Sequence, residues 1–188
     1  MPSIKQANIL ILATDGFDHA ELLVPLTKLR EAGASVKIAA PKTGTIRAWD
    51  QTGWGPGFLV DLELETVDAD DYDALILPGG PINPDALRIN EKAVELVLDF
   101  LDAEKIVAAI SHAPWLLVEA DAVEGRILTS WPSVKTDIEN AGGDWVDEEV
   151  VVDDNIITSR SAADLNAFVA KIIEEIELTG DQDFQKLA

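Results

Sequence analysis

Ile106-Val107-Ala108-Ala109-Ile110-Ser111-His112-Ala113-Pro114-Trp115 is the stretch that decides the fold. Five apolar residues run without a polar break, then a polar pair, then a proline that opens the short apolar segment Trp115 to Ala120. A continuous apolar run of this length reads as a strand buried on both faces. A buried strand that turns at once into a helix is half of a βαβ unit. Two further stretches repeat the pattern. Asn8 to Ala13 is followed by Thr14-Asp15-Gly16, and Tyr72 to Leu77 by Pro78-Gly79-Gly80.

Working outward, a helix is predicted from about Asp18 to Ala32, with Leu22, Leu26 and Leu29 on one face and Gly33 as its stop. Pro25 inside it predicts a kink or a late start. Ser35 to Ala40 is a second strand, closed by Pro41. Residues 42 to 66 are less regular. Gly53, Gly55, Pro56 and Gly57 indicate a loop, and Phe58-Leu59-Val60 a short strand. A helix is predicted from about Glu91 to Ala103, with Val94, Val97, Leu98 and Leu101 inward. In the last third, Arg126 to Thr129 is a candidate strand and Val134 to Asn140 a candidate helix. Val150-Val151-Val152 and Ile156-Ile157-Thr158 read as a hairpin across Asp153-Asp154-Asn155. Ser161 is placed to cap a final helix from about Ala163 to Glu177, and the polar tail from Thr179 is expected to fray.

Strands alternating with helices imply an α/β fold, a mostly parallel sheet covered on both faces. The length of 188 residues suits one domain, expected over 1–188 with its core at about 8–177. In such sheets ligands bind beyond the carboxyl ends of the strands. Three loops leave those ends: Thr14 to Glu21, Pro78 to Asp85 and Ser111 to Trp115. The site is expected where they converge.

Composition narrows the function classes. There are 35 acidic and 14 basic residues, a formal net charge of −21, which disfavours nucleic acid and anionic membranes as partners. Such a surface suits a protein kept soluble at high salt, though an ordinary acidic protein has the same composition. The acids are spread along the chain, and no segment has the form of a calcium loop. No apolar run reaches the ~18 residues of a membrane helix. The N-terminus lacks a signal peptide's apolar stretch, so a cytoplasmic location is expected. The absence of cysteine excludes disulfides, thiolate metal sites and a cysteine nucleophile in the chain as it stands.

The turn at Ser111 resembles a nucleophile elbow, although the sequence is not G-x-S-x-G. A plain helix cap at Ser111 is the simpler alternative. His112, beside Ser111, is the better placed of the two histidines. His19 lies at the start of the first predicted helix, either near the same edge or in solvent. Glu21 is either an acid that suits a helix N-terminus or a carboxylate reaching toward Ser111. Gly79 and Gly80 form either a left-handed turn or a close backbone approach, with the Gly80 N–H a candidate oxyanion donor. No metal constellation is present in the sequence.

Together, Asp15-Gly16-Phe17-Asp18-His19-Ala20-Glu21, Leu75-Ile76-Leu77-Pro78-Gly79-Gly80, Ala109-Ile110-Ser111-His112-Ala113-Pro114-Trp115 and Thr158-Ser159-Arg160 resemble the PfpI branch of the DJ-1/PfpI superfamily. The resemblance spans about Asn8 to Glu177. It implies a flavodoxin-like three-layer sandwich related to class I glutamine amidotransferases, and a homodimer or larger assembly. It also implies cofactor-independent chemistry: intracellular cysteine peptidase, glyoxalase acting on methylglyoxal, or protein deglycase, with a role in stress response. The substrate would be a small carbonyl compound, a peptide or a glycated protein. Ser111 falls where the family has its reactive cysteine, His112 at the adjacent histidine and Glu21 at the acid that bonds the cysteine. Gly80 and His112 would supply oxyanion-hole N–H groups. Trp131 falls at a pocket aromatic. Asp85 falls, after a one-residue insertion, near the acid that orients the histidine of a neighbouring subunit.

Serine is the departure. A thiol is partly ionised near neutral pH and strongly nucleophilic, whereas a hydroxyl needs a well-placed base. Ser111 is either an introduced substitution that silences the enzyme or a natural serine. A natural serine leaves open a weakened enzyme, a serine variant, or a non-enzymatic stress-response or ligand-binding protein on the same scaffold.

Overall fold

The computed structural model describes residues 3–50 and 52–186, so Met1, Pro2, Gln51, Leu187 and Ala188 of the expected single unit lie outside the described residues. A seven-stranded sheet forms the centre. Its strands are β1 (Asn8–Leu12), β2 (Ser35–Ala40), β5 (Leu62–Glu63), β6 (Ala74–Leu77), β7 (Ile106–Ile110), β10 (Val150–Asp153) and β11 (Ile156–Ser159). The order across the sheet is β10-β11-β7-β6-β1-β2-β5, and only the β10–β11 hairpin is antiparallel. This is the α/β architecture expected from the buried apolar runs.

Side chains alternate across the sheet, and each face has its own core. Ile9, Ile11, Ile76, Ala108 and Ile110 pack with Leu22, Leu26 and Leu29 of α1 (His19–Glu31) and with Phe168, Ile172 and Ile176 of α6 (Leu165–Lys186). Leu10, Leu12, Leu75, Leu77, Val107 and Ala109 face the other way. They meet α2 (Ile82–Arg88), α3 (Glu91–Asp102), α4 (Pro114–Glu119) and α5 (Lys135–Asn140). The result is three layers with helices on both sides of the sheet.

Local chemistry sets the helix that matters most for the site. Asp18 caps α1, its Oδ1 accepting from Ala20 N (2.9 Å) and Glu21 N (3.2 Å). Pro25 lies within the helix, buried, with no break in the assigned span. Gly33, with φ of +106°, turns the chain away after the last turn.

Several expectations are corrected. Residues 42–66 hold a second, antiparallel hairpin, β3 (Thr45–Trp49) with β4 (Trp54–Leu59). Gly53 alone of the four turn-forming residues lies between these strands, while Gly55, Pro56 and Gly57 belong to β4. The segment Pro78 to Asp85, read as a loop, contains the start of α2. The inward face of α3 is Ala93, Leu96, Val97 and Phe100, with Leu98 37% exposed. The small Ala93 and large Phe100 complement the sheet better than the face chosen on aliphatic residues alone. The predicted strand at Arg126 to Thr129 is short, β8 (Ile127–Leu128), and pairs with an unforeseen β9 (Asp144–Trp145). Ser161 caps a 3-10 turn, Ala162–Asp164, which leads into α6. That helix continues past Thr179 to Lys186, with no proline to stop it.

The β3–β4 hairpin is tied to the loop between β1 and α1. Arg47 O accepts from Gly16 N, and Trp49 N donates to Phe17 O, both at 2.8 Å. Phe17 is fully buried and meets Phe58 edge-on, ring centres 5.4 Å apart. Phe17→Ala is therefore expected to lower unfolding stability by about 3–5 kcal/mol and to loosen the hairpin. Denaturant unfolding, with hydrogen exchange at the Gly16 and Trp49 amides, measures both.

Candidate active site

The strand order places β1 and β6 side by side, with their following connections leading to opposite edges of the sheet. A crevice opens beyond the carboxyl ends at such a switch point. Three connections meet there, from β1, β6 and β7.

The first brings Glu21. It sits in the first turn of α1 and is 3% exposed. Its Oε2 accepts from the N–H of Gly79, from the second connection, at 3.0 Å. Gly79 has no room for a side chain. A Cβ there would lie 2.6 Å from Glu21 Oε2, 2.6 Å from Ile110 O and 2.7 Å from Ser111 Cβ. Gly80 adopts φ of +79°, and a Cβ on it would strike Asp18 N and Gly16 O at 2.7 Å. The Pro-Gly-Gly turn thus lets three chain segments pack at backbone distance.

The third connection carries Ser111. Its φ is +63°, a left-handed conformation that costs a non-glycine residue about 1–3 kcal/mol. Two hydrogen bonds of 2.9 Å hold it: Ser111 N donates to Ser159 O of β11, and Trp131 N donates to Ser111 O. The turn lifts the side chain off the end of β7 toward its neighbour. Ser111 Oγ lies 3.1 Å from His112 Nδ1. If Nδ1 accepts this proton, Nε2 carries the ring hydrogen and faces Ser133 Oγ at 3.4 Å. The imidazole stacks on Trp131 (centroids 5.9 Å, 24°) and tilts against Trp115 (5.4 Å, 58°).

Electrostatics follow from burial. Desolvation pushes the Glu21 carboxyl up to about 8, the charge of Asp18 adds to the rise, and the Gly79 N–H, Ser111 side chain and Gly80 N–H oppose it. Glu21 is therefore mostly protonated at neutral pH. Burial holds the His112 imidazole below its usual range, so the ring is neutral and able to accept a proton. A neutral base 3.1 Å from a hydroxyl, with a protonated carboxyl in the same cavity wall, is an arrangement that can carry nucleophilic addition.

Glu21, Gly80, Ser111, His112 and Trp131 all line one cavity of about 300 Å³, while Gly79 lies beneath it. Asp85 is exposed on α2 and is not among the lining residues. His19 starts α1 and packs its ring against Phe58, also outside the lining. Sequence reasoning missed Asp18, Trp49, Pro81 and the Ser161–Ala163 turn, which complete the wall, and Ser133 beside the imidazole. Asp18 carried a signal, since an N-cap beside a strand exit faces the crevice. Trp49 carried none, because its strand was hidden in a glycine-rich segment. Among the described residues, no group of three or more His, Asp or Glu side chains is placed to hold a metal ion. No described helix is long and apolar enough to cross a membrane.

This assembly of strand exits belongs to a known class. The model of the DJ-1/PfpI family matches residues 7–175, and the chain belongs to that family. Among its relatives is a deglycase of Pyrococcus abyssi, 44% identical over 167 residues, covering 88% of this chain and 97% of the relative. General stress protein 18 of Bacillus subtilis is 37% identical over 162 residues, covering 85% and 92%. Among solved structures, Drosophila melanogaster DJ-1beta superimposes with a TM-score of 0.84 at 29% identity, covering 97% of this chain and 96% of that one.

Burial of the Glu21 carboxyl makes the stability of the fold depend on pH. The folded state holds this proton up to about pH 8, whereas the unfolded chain releases it in the ordinary carboxylate range. Between those limits the folded state binds more protons, so this group makes stability fall as pH rises. In Glu21→Gln that component is expected to vanish, and the melting temperature to decline less between pH 5 and 9 than in the parent chain.

Proposed function

We propose that the chain is a cofactor-independent PfpI-type enzyme of small carbonyl compounds or their protein adducts, with a serine where the family carries its reactive cysteine. The observation that carries this reading is the elbow itself: Ser111 at φ +63°, with His112 Nδ1 3.1 Å from its hydroxyl and buried Glu21 behind it. Relatives named deglycases support the substrate class. A cavity of about 300 Å³ suits a compact carbonyl group better than an extended peptide, which makes peptidase activity the lesser reading.

In the proposed step, Ser111 Oγ adds to a carbonyl carbon and His112 Nδ1 takes the hydroxyl proton. The carbonyl oxygen gains the negative charge beside the Gly80 and His112 backbone. The imidazolium then returns its proton to that oxygen, leaving a hemiacetal. Glu21, held protonated, donates toward the attacking atom. With a thiol at position 111 this donation would stabilise the thiolate. With a hydroxyl it lowers nucleophilicity, which accounts for a weak or silent enzyme.

Asp85, exposed on α2, is available to a second copy of the chain, consistent with a homodimer or larger assembly in which it orients the partner site's histidine. The net charge of −21 supports a protein that associates with neither nucleic acid nor membrane, in a cytoplasmic setting. One functional domain spans the chain in this reading.

Ser111→Cys is expected to raise methylglyoxal consumption by about tenfold or more, since a cysteine thiol is both more ionised and more nucleophilic. Ser111→Ala should show no turnover. If the cysteine variant folds and gains nothing, the surrounding groups are not catalytic machinery, and a binding protein on this scaffold becomes the better account.

A further inference from the structure

Among the described residues, the cavity wall carries negative charge with no cation to balance it. Asp18 lines it, Glu21 beside it is held protonated and adds no charge, and no lysine or arginine is among the described lining residues. The basic groups nearby are engaged elsewhere. Arg160 precedes the Ser161–Ala163 wall, but its guanidinium bonds Asp164 through Nε (2.9 Å) and Nη2 (3.0 Å), and Asp147 through Nη1 (2.8 Å). Arg47, on β3, lies over the Trp54 ring and donates to Trp54 O at 3.3 Å. Lys42 pairs with Asp15. Asp18 is held in place by its capping bonds, which use Oδ1. Trp49 and Trp131 supply two further walls, and indole faces attract cations and disfavour anions.

We propose that Asp18 is a specificity residue that closes this cavity to anionic ligands, so that it takes uncharged or cationic carbonyl compounds and rejects 2-oxo acids. The proposal rests on the reading of this cavity as the carbonyl site. A carboxylate entering a cavity of this size comes within a few ångströms of Asp18, and no cation among the described lining residues offsets the repulsion. At the intermediate dielectric of a partly open site that repulsion is large enough to give a selectivity of about tenfold or more. An uncharged ligand of the same shape feels none of it.

Pyruvamide and pyruvate are near-isosteric probes that differ in this charge. Each is titrated into the intact chain while the ring-proton shifts of His112 are followed by NMR. Pyruvamide is expected to bind at least about tenfold more tightly than pyruvate, with the preference shrinking as salt is added. Asp18→Asn keeps a good helix cap and should bring the two affinities within about threefold of each other. Equal or tighter pyruvate binding overturns the proposal, as does no binding of either probe, or a preference unchanged in Asp18→Asn. The salt series tests the charge origin even if that variant folds poorly. A probe preference that holds while Ser111→Cys stays inactive removes the catalytic reading and keeps the selectivity. Turnover by Ser111→Cys without the preference does the reverse.

Discussion

A carboxyl group out of water is the constraint on which the rest of the site depends. Glu21 is enclosed by the turns after β6 and β7, and its Oε2 accepts from the Gly79 N–H at 3.0 Å. A carboxylate buried there without full compensation would be costly, and the protein instead holds the group protonated. That choice determines what the pocket can do. A protonated Glu21 places a neutral carboxyl, with a proton to give, in the same wall as Ser111. In the proposed reading such a neutral carboxyl would favour an ionised attacking atom at position 111, where this chain carries a hydroxyl.

The backbone around Glu21 is constrained to match. Gly79 and Gly80 allow the β6 turn to pass within contact of Ile110 O, Gly16 O and Asp18 N. Ser111 takes up a left-handed conformation that the chain would not choose locally, and bonds to Ser159 and Trp131 hold it there. The flanking strands are in fixed parallel register, Leu77 beside Ala109 and Ile110 beside Ser159. Local strain at one residue is therefore carried by a sheet buried on both faces, which is the sense in which this fold supports this site.

Legibility in the sequence followed the physics of each element. The strand Ile106–Ile110 and the turn after it were readable because the run is too short for a buried helix and is closed by Ser111-His112 and Pro114. Glu21 and Gly80 sit at strand exits, so their convergence followed from topology, and Asp18, the helix cap at the same exit, was overlooked. The hairpin Thr45–Trp49 with Trp54–Leu59 was not readable. Gly55, Pro56 and Gly57 oppose strand formation locally, and the hairpin forms because Phe58 docks on Phe17 and Arg47 and Trp49 bond the β1–α1 loop. Trp49 reached the cavity by that route. The short α2 was hidden by Pro84, which is tolerated within its first turn. Ser133 could not be found by spacing, because its contact with His112 depends on the Pro132–Val134 turn.

The central claim is that Glu21, in the wall beside Ser111, stays protonated near neutral pH. A carbon-detected NMR titration of the Glu21 side-chain carboxyl tests this most directly. The account predicts a midpoint near pH 8, with His112 ring shifts responding to the same step. A midpoint in the ordinary carboxylate range, near 4.3, would contradict it.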